Sequence, residues 1–405
     1  MTVAHYLLLD RICRTAGSDL YRARRVDDRM PVLLKLLRSE TAGATEFVRL
    51  RREYLLLQSF NAAGIAKPLA LIADSRSLAL VLENFQGESL ESVLACTRLD
   101  FTVSLQIARH LAEALADIDA VKVDYQNIHP ANILVEPATG QILLVDLSNA
   151  TAQEAKSVPS EDCAVPVADW AYLSPEQTGR LNRPVDSRSD LYSLGVLFYR
   201  MLTGQLPFQA HDPLEWTHCH AARVPPPPCD ITPEIPKTVS DIVMKLLAKL
   251  PEDRYQSAYG LRSDLDRCIA QWQATGYVET FPLGSEDISD RFQISRKLYG
   301  RDEEVATLLA TFEKVAATGR TALVTVAGYS GIGKSSLVGR KSLSRRGACT
   351  GVQPRGAPFR DCACERYHRT QAPRAAAARA IQRHAYAVGS GLARRGGTTH
   401  SARNV

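Results

Sequence analysis

A chain of 405 residues with 45% apolar residues is long enough for two or three domains and has the composition of a soluble globular protein. No apolar run approaches the ~18 residues that a spanning helix requires, and the N-terminus lacks a signal-peptide layout, so we expect a cytoplasmic protein without a membrane span. The net charge of +5 divides unevenly: residues 341–405 carry 13 Lys/Arg against two acids, Asp361 and Glu365, while the first 340 residues carry 36 bases against 42 acids.

A basic tail on an acidic body can signify nucleic-acid binding. This tail has little aromatic interleaving and no helical or strand period, so no nucleic-acid partner is expected. The nine cysteines are scattered without a metal-ligand framework, which suits reduced thiols. His218-Cys219-His220 has no partner pair and reads as helix surface.

Residues 4–9 and 19–37 contain strand-forming runs, Leu7-Leu8-Leu9 closed by Asp10 and Val32 to Leu37 closed by Arg38. Lys35 lies inside the second run, where a lysine either faces solvent on an edge strand or has a partner that offsets its burial. Residues 45–59 form an amphipathic helix in which Glu53 is placed to be that partner. Between the first two strands, the stretch Thr15 to Tyr21 holds one glycine, Gly17. Residues 77–84 give a strand with Glu83 near its end, then a glycine break and a helix start. Residues 101–121 form a long helix with apolar residues at 105, 108, 111, 115 and 118, a buried face.

That helix feeds the stretch Tyr125-Gln126-Asn127-Ile128-His129-Pro130-Ala131-Asn132, followed by a short apolar strand, a turn and a second strand ending at Asp146. Loop asparagines and a strand-end aspartate can also do no more than hydrogen-bond their own turns. Trp170 to Glu176 follows, then an apolar helix from Ser189 with Asp190 near its start and Gly204 as a C-cap. Pro225 to Pro228 reads as a polyproline connector, and Asp253-Arg254-Tyr255 closes the set. Further on, the apolar strand 321–327 precedes Gly328-Tyr329-Ser330-Gly331-Ile332-Gly333-Lys334-Ser335, a full match to G-x-x-x-x-G-K-S in its strand-to-helix context.

Residues 1–275 resemble the eukaryotic-type Ser/Thr protein kinase domain found in bacteria. Tyr172 to Asn182, Leu191 to Phe208 and Pro282 to Phe292 are similar to one group within it, large signalling proteins that join a kinase domain, an AAA-type ATPase region, a GAF sensor domain and a histidine kinase. The resemblance implies an α+β, bilobal protein-kinase-like fold, with an N-lobe over about 1–84 and a C-lobe over about 85–275. A linker over 276–297, an incomplete α/β P-loop ATPase fragment over 298–340 and a basic tail over 341–405 complete the expected organisation.

The resemblance also implies ATP and Mg2+ as cofactors. Gly17, Lys35, Glu53, Glu83, Asn132 and Asp146 fall at ATP-binding positions: Lys35 pairs the phosphates and Glu53, the backbone after Glu83 meets the adenine, and Asn132 and Asp146 ligate the metal. Asp190 would brace the catalytic loop, and Glu176 would pair with Arg254 to lock the C-lobe. In the second region Gly328, Gly331 and Gly333 let backbone amides wrap a phosphate, Lys334 reaches the β/γ-phosphates and Ser335 ligates magnesium.

Several residues depart from the family pattern. Asn127 stands in place of the catalytic Asp, and His129 in place of a Lys near the γ-phosphate. Tyr125 and Gln126 replace His and Arg, and Leu147-Ser148 replaces Phe-Gly. Asp124 lies three residues too early to substitute as the base. Two readings follow: a Ser/Thr kinase of low activity acting on a protein substrate, or a pseudokinase, an ATP-responsive interaction module for downstream ATPase and sensor regions. After about Arg340 no Walker B acid or further strand is found, which fits a reading-frame shift with a non-native, disordered 341–405, or a genuine basic tail.

Overall fold

The computed structural model describes residues 2–3, 5–15, 17–38, 44–73, 78–153, 169–179, 183–288, 302–318 and 324. The N-terminal lobe is an antiparallel sheet with one helix. Its strands are β1 (Thr2–Val3), β2 (Tyr6–Arg14), β3 (Ser18–Arg25), β4 (Pro31–Leu37), then helix α1 (Ala44–Leu57), and β5 (Pro68–Ala73) and β6 (Leu78–Glu83), in the order β1-β2-β3-β4-β6-β5. Residues 19–37, which read as strand-forming segments, hold two strands joined by a turn in which Arg29 takes a positive φ of 59°. Val32, Leu34, Ala79 and Val81 pack on one face of the sheet, while Leu33, Leu80 and Leu82 face the helix and the second lobe. The alternation along β4 and β6 is the period-2 pattern of a sheet covered on both sides.

The C-terminal lobe begins with β7 (Glu88–Ser89), α2 (Leu90–Cys96) and α3 (Phe101–Ala120). The chain then forms β8 (Val123–Asp124), β9 (Ile133–Val135), β10 (Ile142–Leu144) and β11 (Thr151–Ala152). Beyond these lie α4 (Ser187–Thr203), α5 (Pro213–Ala222), α6 (Pro228–Ile231), α7 (Lys237–Leu246), α8 (Ala258–Thr275) and, further along the chain, α9 (Asp302–Thr318). Asp100 caps α3 by accepting from Thr102 N. The buried face of α3, at Leu105, Ala108, Leu111, Leu115 and Ile118, falls where the 3.6-residue period puts it.

Helix α4 is buried along almost its whole length and forms the axis of this lobe. Asp186 and Ser189 make a reciprocal capping box at its start, and Gly204 ends it in the left-handed conformation with φ 77°. A Cβ on Gly195 would stand 2.6 Å from Leu246 Cβ, so glycine is what lets α7 approach α4 this closely.

Three expectations need correction. Pro228 opens the short helix α6 instead of ending a polyproline connector, since proline at a first helical position lacks only an N–H that would be unpaired anyway. His218 is exposed, but Cys219 and His220 are fully buried, so that run is a core contact and not helix surface. His220 stacks on Trp216 and links Tyr192 Oη to the Trp170 carbonyl.

Residues 276–288, where a linker was expected, pack back on α7 and α8. Asp287 accepts from Gln256 N and Ser257 N at 2.7 and 2.9 Å, and Gly284 N donates to Asp264. No helix among the described residues is long and apolar enough to cross a membrane. The P-loop residues Gly328, Gly331, Gly333, Lys334 and Ser335, and all of 341–405, lie outside the described residues.

Candidate active site

Lys35 on β4 and Glu53 on α1 meet in the cleft beneath the sheet. The ammonium donates to both Glu53 oxygens at 2.7 Å, and Asp146 Oδ1 lies 3.0 Å away. The backbone N–H of Leu147 adds a bond to Glu53 Oε1 at 2.9 Å, so α1 is tied to the segment that carries Asp146. All three side chains are buried. Burial works against the Lys35 charge, but Asp146 and Glu53 outweigh it and hold the ammonium above its ordinary pKa. Burial lifts Glu53 above the carboxylate range against the pull of Lys35, with Asp146 adding to the rise. Asp146 is itself held below that range, because Lys35 and Ser148 overcome its burial.

The catalytic-type loop hangs from Asp190. Its carboxylate accepts from Tyr125 N at 2.9 Å and Gln126 N at 2.6 Å. Gln126 sits at φ 60°, a conformation non-glycine residues seldom adopt, and those two bonds hold it there. A 3-10 turn, Pro130–Asn132, delivers Asn132 next to β9. Asn132 Nδ2 donates to the Asn127 carbonyl at 3.2 Å, and Val145 N donates to the Asn132 carbonyl at 3.1 Å, which places Asn132 beside the strand leading into Asp146.

A carboxylate and an amide oxygen, both buried on adjoining segments, form a hard-oxygen donor pair of the kind that suits Mg2+ shared with phosphate oxygens. Asp124, considered as a substitute base, is 3% exposed in β8, where it pairs with Thr151 and accepts from Gln153 Nε2. It is buried close to Asp190.

The phosphate side of the cleft differs from a glycine-rich cradle. Thr15 Oγ1 accepts from Ser18 N at 3.3 Å and bonds Ser18 Oγ at 2.9 Å, and Thr15 N donates to the Ser18 carbonyl. The loop therefore spends two of its amides on itself. Gly17 has open space around its Cα, and its carbonyl accepts from Arg38 N. At the opposite edge of the sheet, the Glu83 carboxylate is exposed near Lys67, and its N–H donates to the Lys67 carbonyl. Arg22 on β3 donates to the carbonyls of Phe85 and Gly87 in this connecting stretch.

His129 and Glu176 complete the set. His129 Nδ1 accepts from Ala131 N, its Nε2 lies 3.4 Å from Asp169 Oδ1, and burial, with Arg200 adding, lowers its pKa to about 4. A neutral imidazole here supplies no positive charge. In the interior, Arg254 pairs both oxygens of Glu176 at 2.7 and 3.0 Å, Ser189 adds a third bond, and the pair is 0% and 1% exposed.

Fold and site together define a protein kinase domain. The family model described as protein kinase domain matches residues 7–264, and the chain belongs to that family. A second model, described as AAA ATPase domain, matches residues 297–399, a span that runs through the basic tail. Hybrid signal transduction histidine kinase G of Dictyostelium discoideum is 41% identical over 189 residues, covering 42% of this chain and 6% of its own length. Serine/threonine-protein kinase PknA of Mycobacterium tuberculosis is 32% identical over 267 residues, 64% of this chain and 60% of its own. A probable serine/threonine-protein kinase of Streptomyces coelicolor is 31% identical over 262 residues, 63% of this chain and 38% of its own. The chain thus spans from 6% to 60% of the length of these curated relatives.

Sequence reasoning missed Asp169 beside His129, the self-bonded Thr15–Ser18 loop and the Arg22 contact with the connecting stretch. The first carried a signal, an acid six residues before the Pro175-Glu176 dipeptide, and the second a partial one, the single glycine in Thr15 to Tyr21.

Proposed function

We propose that residues 1–288 bind Mg-ATP and transfer its γ-phosphoryl group to Ser or Thr of a protein at a low rate. The observation that carries this reading is the buried Lys35–Glu53–Asp146 cluster with Asn132 alongside, a geometry that reserves one cation and two oxygen donors for a nucleotide triphosphate and its metal. When bound, Mg2+ would neutralise charge on the phosphates, with Asn132 and Asp146 as its protein ligands. This chain's own contribution is positional: Lys35 orients the phosphates, Glu53 orients Lys35, and Asp190 fixes the loop that presents Asn127.

The rate is low on two grounds. Asn127 can hold a hydroxyl but cannot accept its proton, and a general base is worth roughly 10²–10⁴-fold. The Thr15–Ser18 loop withholds amides that would otherwise grip phosphate. The first ground also favours the alternative, a pseudokinase that binds ATP and signals by conformation to the ATPase and sensor regions downstream.

The test is γ-phosphate transfer by the full chain carrying Lys334→Ala, which removes nucleotide binding by the P-loop, beside Asn127→Asp and Asp146→Ala in the same background. Transfer that Asp146→Ala abolishes supports the kinase reading. Nucleotide binding without transfer supports the pseudokinase.

A further inference from the structure

The segment Tyr125 to Asn132 contains no acid, so a hydroxyl proton has no acceptor on the loop that faces substrate. Two acids touch this region from behind. Asp190 is 3% exposed and committed to the amides of Tyr125 and Gln126, and Asp124 is equally buried against Gln153. A third approaches from the other side. Asp169 opens the 3-10 turn Asp169–Tyr172, its Oδ1 lies 3.4 Å from His129 Nε2, and its side chain is 34% exposed. It is the one of the three that a solvent-borne hydroxyl can meet.

His129 borders that carboxylate. Because Nδ1 accepts from Ala131 N, the neutral ring carries its proton on Nε2, which stands 3.4 Å from Asp169 Oδ1. Tyr172 packs edge-on against the ring at 4.9 Å, and Arg200 from α4 bonds the Tyr172 hydroxyl, so the imidazole is held from three sides. The charged and titratable groups facing Asp169 are His129 from the loop, Glu91 from α2 and Tyr172 of its own turn, with Arg200 beyond. Burial, with Glu91 adding, raises the carboxyl above its ordinary pKa, which brings it nearer the working range of a proton acceptor.

We propose that Asp169, at the start of the turn Asp169–Tyr172, is the general base of this domain, replacing the carboxylate that Asn127 lacks, with His129 as its positioning residue. The assignment rests on the phosphoryl-transfer reading above. The substrate Ser or Thr oxygen bonds the γ-phosphorus of ATP while the bond from that phosphorus to the β,γ-bridging oxygen breaks. The electron pair leaves on the β-phosphate of ADP, and the hydroxyl proton passes to Asp169 and on to solvent. Asn127 orients the hydroxyl.

The experiment uses the full chain carrying Lys334→Ala, with Mg-ATP and dephosphorylated casein, and follows transfer and nucleotide binding together from pH 5 to 9. Asp169→Asn is expected to lose on the order of 10²-fold in kcat/KM or more, the range of a general base, and to lose the acidic limb of the pH profile while nucleotide affinity holds within about twofold. Asp169→Glu should keep measurable transfer, and Asn127→Asp added to Asp169→Asn should restore it. His129→Ala should lose less than Asp169→Asn; an equal loss would mean that Asp169 acts only through the imidazole, which overturns the proposal. Transfer by Asp169→Asn within twofold of the parent, with an unchanged profile, also overturns it and leaves the kinase reading standing. A parent that binds nucleotide yet transfers no more than Asp146→Ala removes both.

Discussion

Lys35 donates to both carboxylate oxygens of Glu53 at 2.7 Å, and the two side chains are 5% and 0% exposed. The contact joins strand β4 to helix α1 across residues 18 apart in sequence, and Leu147 N extends it to the segment after Asp146. One buried cation thus fixes the position of a helix, a strand and a loop. Its removal would leave two carboxylates facing each other in a site with little water.

Lys35→Met therefore destabilises the domain by about 3–5 kcal/mol, the usual cost of stranding a buried charge. Adding Glu53→Gln should recover part of that loss, because the stranded carboxylate then becomes a neutral amide. Urea unfolding of the three proteins checks this, and equal stability of Lys35→Met and the parent would show that the pair carries no structural load.

Much of this cluster was legible in the sequence. A lysine inside the apolar run Val32 to Leu37 needs a partner, and Glu53 follows on an amphipathic helix. Asp190 and Glu176–Arg254 were legible through motif spacing. The Thr15–Ser18 loop was only half legible: missing glycines are visible in the sequence, but the bonds of the Thr15 hydroxyl to the Ser18 hydroxyl and amide are a property of the closed turn. Asp169 was visible as an acid six residues before Pro175-Glu176, but its meaning depends on His129, 40 residues earlier, coming within 3.4 Å of it. His220 was misjudged as surface, because periodicity in α5 does not reveal that Trp216, Tyr192 and the Trp170 carbonyl converge on that ring.

Burial, with Lys249 adding, depresses the His220 imidazole to about 3, so the native state holds the ring neutral where the unfolded chain would protonate it. The stability that depends on this is complete above the unfolded value near 6.5 and is lost as pH falls toward 3. By pH 5 the loss from this ring amounts to about 2 kcal/mol. His220→Gln should be less stable than the parent at pH 8, yet its stability should fall less between pH 7 and pH 5. Denaturant midpoints at the three pH values check the sign, and a parallel fall in both proteins would contradict it.

Arg254 donates to the Ala248, Lys249 and Arg188 carbonyls as well as to Glu176, so it closes a backbone turn and a charge pair at once. Arg254→Ala should cost about 3–5 kcal/mol through the unpaired Glu176 carboxylate. In a cycle with Glu176→Gln, the two losses should fall short of additive by ~0.5–3 kcal/mol, as expected for side chains in one network. Strict additivity would mean that the carbonyl contacts, and not the ion pair, dominate.

The Thr15–Ser18 turn makes the most counter-intuitive forecast, that removing hydrogen bonds tightens a binding site. Thr15 Oγ1 holds the Ser18 amide, and burial of Ser18 keeps water from competing for it. Thr15→Gly with Ser18→Gly deletes both hydroxyls and adds the backbone freedom that a phosphate-wrapping loop uses, at a stability cost of about 0.5–1 kcal/mol per glycine. One amide released to a charged phosphate is worth ~1.5 kcal/mol, so the affinity for Mg-ATP should rise roughly tenfold. Titration with a fluorescent ATP analogue, with Lys334→Ala throughout to silence the P-loop, reads the change directly. Unchanged or weaker binding would mean that the closed turn already presents nucleotide with the amides it needs, and that the hydroxyls order the loop instead of withholding it.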